Sequence, residues 1–184
     1  QVTIPVFIPM QACPFHCIYC DQHKITGREE MPEMEQVTSH LEKYLSTIPK
    51  GIIVEVGFFG GTFTGLSEQL QEKYLRAAEP FIRSGRINSI RLSTRPDFID
   101  EQVLNRLKKF RVSTIELGAQ SMDEEVLLLS GRGHRSADTR RAAALIKKAG
   151  FRLGLQMMIG LPGDSPEKSL STAKSFIFLG ASDV

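Results

Sequence analysis

The sequence predicts an α/β fold, a parallel sheet forming a partial (β/α)6-type barrel with the last strand or strands cut off. Three observations predict it. Apolar runs rich in β-branched residues alternate five times with segments of helical period, and that alternation with short connections builds right-handed βαβ crossovers. The distinctive short motifs, glycine-rich or polar, fall directly after the apolar runs, where strand-to-helix loops of a parallel sheet lie. At 184 residues the chain is too short for an eight-fold barrel of roughly 250 residues, and a smaller open barrel fits.

Val2 to Pro9 is apolar and reads as a buried first strand. A polar loop follows through His23 and Gly27 to Pro32, and Glu35 to Ile48 carries Val37, Leu41, Tyr44, Leu45 and Ile48 at helical spacing. Ile52 to Phe59 is the second strand, ending in Gly60-Gly61-Thr62-Phe63-Thr64. Ser67 to Phe81 is helical with Ser67 as N-cap. Ile90 to Thr94 is a third strand stopped by Pro96, and Asp100 to Phe110 a helix with Val103, Leu104 and Leu107 inward. Val112 to Leu117 gives the fourth strand, ending at Gly118-Ala119-Gln120-Ser121. Asp123 to Leu129 and Ser136 to Ala149 are helical, the second closed by Gly150. Phe151 to Ile159 is the fifth strand, and after Gly160-Leu161-Pro162-Gly163 the last helix runs from Pro166 to Leu179.

The hydrophobic share of 41% and charged share of 24% are those of a globular chain, and they exclude a disordered or low-complexity one. A net charge of +2 allows a basic patch without requiring one. No run of eighteen apolar residues is present to span a membrane. Residues 1–184 are expected to form one domain. The start at Gln1 without methionine and the stop after a helix and a glycine suggest a piece of a longer protein.

All three cysteines fall in Ala12-Cys-Pro-Phe-His-Cys-Ile-Tyr-Cys-Asp21, as C-x3-C-x2-C at Cys13, Cys17 and Cys20. An odd number, with two only three positions apart, does not make a disulfide framework. The thiolates suit one metal centre. A structural zinc site wants four ligands, and locally only His23 could complete it, giving a zinc module that binds RNA or protein. An iron–sulfur cubane takes thiolates, and three of them leave one iron open to chelation. Cys17 and Cys20 alone would also fit a redox dithiol. Cysteines kept for a metal point to a reducing compartment, hence the cytoplasm.

This triplet, with Tyr19 before its last cysteine and a first strand before it, resembles the cluster loop of the radical S-adenosylmethionine enzymes. Over nearly its whole length the chain is similar to their core domain. G-G-T-F-T at 60–64, S-T-R-P-D at 93–97, L-G-A-Q-S at 117–121 and R-G-H at 132–134 most resemble the branch holding the elongator catalytic subunit and the oxygen-independent coproporphyrinogen oxidases. The resemblance implies a [4Fe-4S] cluster on Cys13, Cys17 and Cys20, and S-adenosyl-L-methionine as cofactor. Gly60, Gly61 and Thr62 would meet the methionine amino group, Gln120 and Gln156 the ribose, Arg132 the carboxylate, and the segment from Ile159 the adenine. It implies an oxidoreductase or transferase in which one electron from an external donor yields a 5'-deoxyadenosyl radical that takes hydrogen from a substrate. The elongator likeness favours a tRNA nucleoside over a tetrapyrrole.

Two positions depart from the pattern. Ser93 stands where the relatives carry a glutamate, and Asp21 where the coproporphyrinogen enzymes carry a further cysteine. Tyr19 suits either the cluster side or the core, and His16 and His23 flank the loop as solvated or hydrogen-bonded imidazoles. His134 with Arg135, Arg140, Arg141, Lys147 and Lys148 is the most basic stretch. It reads as the wet face of a helix sooner than as an RNA contact.

Overall fold

The structure, a computed structural model, describes residues 1–9, 13, 15, 17–20 and 31–184. Five strands, β1 (Val2–Ile8), β2 (Val54–Gly60), β3 (Ser89–Thr94), β4 (Val112–Gln120) and β5 (Arg152–Met157), form one all-parallel sheet in the order of the sequence. The helices are α1 (Met34–Thr47), α2 (Glu68–Arg83), α3 (Glu101–Lys108), α4 (Glu124–Leu129), α5 (Ser136–Lys148) and α6 (Pro166–Leu179). Short 3-10 turns lie at Phe63–Gly65 and Pro96–Phe98. This is the α/β partial barrel that the alternation predicts. Among the described residues no pairing joins β1 to β5, while Asp183 bridges Gly154 in parallel on the outer side of β5.

Strand residues alternate between two faces. Ile4, Val6 and Ile8 of β1, Val56 and Phe58 of β2, Ile90 and Leu92 of β3, Ile115 and Leu117 of β4 and Leu153 and Leu155 of β5 share one buried core with Leu41, Tyr74, Leu75, Leu107, Ile146 and Phe176 of the helices. Each such side chain contributes about 1.5–3 kcal/mol on burial, and this layer fixes which face points inward. The opposite face carries Glu55, Ser89, Arg91, Ser93, Glu116, Gly118 and Gln156 beside Phe7 and Phe59, so it is polar across β3, β4 and β5 and partly apolar at β1 and β2.

Caps and buried bonds set the helices against that sheet. Ser67, Asp100, Asp123 and Ser165 each accept a backbone N–H at a helix start. Buried Arg106 of α3 donates to Gln71 of α2 (3.0 Å) and pairs with Glu68, while the Gln71 amide donates to the Thr64 (3.1 Å) and Leu66 (2.7 Å) carbonyls. The Thr64 hydroxyl donates to the Phe98 carbonyl (2.8 Å), which leaves the Thr94 hydroxyl to donate to Thr64 (2.6 Å). The loops after β2 and β3 are thereby tied together.

Boundaries shift where tertiary bonds decide them. β4 runs past Leu117 to Gln120, because Gly118 and Gln120 still pair with β5 across a register shift and Gln120 adopts a left-handed φ of 66°. β5 stops at Met157 instead of Ile159. Tyr44, placed by its spacing on the buried face of α1, is exposed and stacks near His40, their ring centroids 4.7 Å apart.

Candidate functional site

The carboxyl ends of all five strands open on one cavity of about 280 Å³. The β1 end contributes Cys13, Cys17 and Cys20, the β2 end Gly60, Gly61 and Thr62, and β3 Ser93 with Arg95 just beyond it. Gly118 and Gln120 come from β4, Gln156 and Met158 from β5, and Arg132 from the segment between α4 and α5. A parallel sheet points all its carboxyl ends one way, so motifs far apart in sequence meet at this rim.

Cys17 is buried, Cys13 and Cys20 are half-buried, and none is in a disulfide. The Cys20 N–H donates to the Cys17 carbonyl (3.0 Å), and the Ile18 N–H donates to the Ser130 carbonyl (3.2 Å), pinning the loop to the end of α4. Cys13 Sγ lies 3.0 Å from Thr62 Oγ1. Among the described residues no three His, Cys, Asp or Glu side chains converge as ligands of a single ion do. Three soft thiols lining one cavity are consistent with an iron–sulfur cluster-binding motif, in which each thiolate takes its own iron. His16, Asp21, His23 and Gly27 lie outside the described residues.

Arg132 is buried, with Nη1 3.4 Å from Cys17 Sγ, Nη2 donating to the Gly118 carbonyl and Nε without a partner. A guanidinium stays charged, and among the described residues Arg132 has a thiol and a carbonyl beside it and no carboxylate. This is a ready place for a carboxylate. Gly118 makes the room: a Cβ there would lie 3.1 Å from Gln120 Nε2 and 3.4 Å from Arg132 Nη2. Among the described residues the buried Tyr19 hydroxyl, beside Cys17 and Arg132, has no partner at hydrogen-bond geometry. Burial pushes its phenol well above the ordinary range; Cys17 adds to that and Arg132 opposes it.

Below the rim, Glu116 organises the sheet's inner face. Its Oε2 accepts from Ser93 Oγ (2.8 Å) and Gln156 Nε2 (3.0 Å), and its Oε1 from Arg91 Nη1 (2.6 Å). Arg91 also lies 3.6 Å from Glu55 and 3.7 Å from Asp183. Ser93, where the resemblance expects a glutamate, therefore sits against a carboxylate from the next strand.

Six of the seven residues expected at the cofactor, Gly60, Gly61, Thr62, Gln120, Arg132 and Gln156, line the cavity. Ile159 does not: it is 77% exposed, and Met158, whose N–H donates to the Gln120 carbonyl (3.0 Å), is the lining residue. His134, expected on a wet helix face, is buried with neither ring nitrogen bonded. Burial first, then the Arg132 and Arg95 charges, lowers its pKa to about 4. Arg135, Arg140, Arg141, Lys147 and Lys148 are exposed as expected. Sequence reasoning passed over Phe15, Arg95 and Glu116. A charged residue at the inward phase of a buried strand was the available sign of Glu116.

In sequence, the chain is 26% identical over 193 residues to the tRNA uridine(34) acetyltransferase of Dehalococcoides mccartyi, with 88% of this chain and 42% of that protein covered. It is 30% identical over 131 residues to the protein of that name from Methanocaldococcus infernus, with 62% and 24% covered. Against the heme chaperone HemW of Bacillus subtilis it is 27% identical over 177 residues, with 92% and 46% covered. The chain thus spans less than half the length of each relative. Its fold matches archaeal Elp3 from M. infernus at a TM-score of 0.69 and 21% identity, over 96% of this chain and 43% of that one. It matches coproporphyrinogen III oxidase (HemN) from Escherichia coli at 0.67 and 22%, over 98% and 42%. Residues 7–175 match the radical SAM superfamily, and the chain, with its C-x3-C-x2-C loop at the rim of a parallel partial barrel, belongs to it.

Proposed function

We propose that residues 1–184 act as the core domain of a radical SAM enzyme, with a [4Fe-4S] cluster on Cys13, Cys17 and Cys20 and S-adenosyl-L-methionine in the adjoining cavity. One observation carries this reading: the three cysteines and motifs from all five strand ends line a single cavity of about 280 Å³. When bound, the cluster and cofactor supply, with one electron from an external donor, cleavage to methionine and a 5'-deoxyadenosyl radical that takes hydrogen from substrate.

The protein's part is to bind, aim and shield. Arg132, buried and with no carboxylate partner among the described residues, would offer its guanidinium to the cofactor's carboxylate. The backbone of Gly60 and Gly61, with Thr62, would receive the methionine amino group. Gln120 and Gln156 would hold the ribose hydroxyls, and Glu116 fixes Gln156 by accepting from its amide. Ile159 follows Met158 on the adenine side.

The elongator-like branch is the reading we favour, with a tRNA nucleoside as substrate ahead of a tetrapyrrole. Support comes from the tRNA uridine(34) acetyltransferases among the relatives, one of them 30% identical. The substrate decides between oxidoreductase and transferase chemistry, and thiolate ligation of a cluster suits the cytoplasm. No described helix is long and apolar enough to cross a membrane.

The test is iron and sulfide analysis with a visible spectrum, on wild type and Cys17→Ala prepared without oxygen, followed by assay of methionine release from S-adenosyl-L-methionine. About four irons and four sulfides per chain, lost in the variant, are expected. One zinc and no sulfide would overturn the reading.

A further inference from the structure

One buried side chain at the rim has no part in the roles above. Arg95, just beyond β3, is 3% exposed. Its Nε and Nη2 donate to the two carboxylate oxygens of Asp97 (3.0 Å each), and Nη2 also donates to the Arg132 carbonyl (2.7 Å). Its guanidinium carbon lies 4.9 Å from the ring centroid of Phe15, between the first two cysteines. Against the same ring lies Gly133, where a Cβ would come within 2.6 Å of ring carbons and where φ is 74°. A side chain at position 133 would therefore meet the ring and strain the backbone. Three segments, after β1, after β3 and between α4 and α5, meet on one phenyl ring.

We propose that Arg95 is a positioning residue that latches the cysteine loop to the Arg132 segment, gripping Phe15 between its guanidinium and the Gly133 backbone. Asp97 holds the planar fork in orientation, so the stacking face is presented to the ring and the remaining N–H to the Arg132 carbonyl. Cys17 is then held from two sides, because Arg132 reaches its sulfur (3.4 Å) while Phe15 anchors the chain two residues before it. A lysine at 95 would keep the charge and lose both the fork and the planar stack. The latch rests on contacts of the protein alone; its importance for a cluster rests on the function proposed above.

The test is made on the metal-free, reduced full chain, by following iodoacetamide alkylation of Cys17 by peptide mass spectrometry. Arg95→Lys and Phe15→Leu are expected to speed alkylation of Cys17 about tenfold. Phe15→Tyr, which keeps a ring, is expected to retain the wild-type rate. Arg86→Lys, which alters a half-buried arginine bonded to the Leu45 and Ile48 carbonyls at the opposite end of the sheet, should leave Cys17 unchanged. Phe15 is 40% exposed, so Phe15→Leu decides the matter even if Arg95→Lys fails to fold. Wild-type rates in Phe15→Leu, equal acceleration in Phe15→Tyr, or acceleration in Arg86→Lys would each overturn the latch. Iron and sulfide content separates the two readings. Fast alkylation in the variants with no cluster in reconstituted wild type keeps the latch and removes the cluster. A wild-type cluster with unaltered alkylation in Phe15→Leu does the reverse.

Discussion

His134 shows what a buried, unbonded imidazole does to this fold. Its pKa is lowered to about 4 from 6.5, chiefly by burial. Below pH 6.5 the unfolded chain takes up a proton that the folded chain refuses until about pH 4. The unfolded state thus binds more protons, and stability rises with pH through that window. We expect stability to be flat above pH 6.5 and to fall by up to about 1.4 kcal/mol per pH unit toward pH 4. Urea unfolding of wild type and His134→Phe at pH 7.5, 6 and 5 checks this, the variant losing most of the slope; parallel slopes would refute it. The sequence placed His134 in a basic run and so on a wet face. The same limit hid Arg95, whose partners Phe15, Asp97 and Arg132 sit on three different loops. The three cysteines were legible because their chemistry is local, set by spacing within eight residues.

At the scale of elements, strand and helix order was legible throughout, since period-two and period-3.6 patterns are set by each segment alone. Ends were less so. β4 outruns its apolar pattern because Gly118 and Gln120 find partners on β5, a fact of pairing that no single strand encodes. That β4–β5 pair also gives an element-level prediction. Gly154 faces Glu116 across the ladder, and a Cβ there would lie 2.8 Å from Glu116 Cγ. Gly154→Ala is expected to cost about 1–3 kcal/mol through overpacking. It should also displace the carboxylate that Ser93 and Gln156 share. Chemical denaturation measures the first effect; an unchanged midpoint would mean the strands yield without strain.

At the largest scale, the buried core among the described residues draws on β1 to β5 and on every helix but α4, whereas the thiols stand at the rim. Cys13, Cys17 and Cys20 replaced together by alanine should leave the metal-free chain within about 1–2 kcal/mol of wild type. Circular dichroism with urea titration checks this, and a larger loss would make the loop a structural staple. The sheet order, one strand after the next, has a further consequence during synthesis. Each strand docks on a neighbour already made, so the sheet can grow as the chain leaves the ribosome. The cysteine loop emerges well before the two segments that cover it, since Phe15 meets Arg95 and Gly133 only once position 133 has left the ribosome. At roughly 5–20 residues per second the thiols stay uncovered for on the order of ten seconds. The interval in which they can be loaded, or oxidised, is therefore set by the pace of translation.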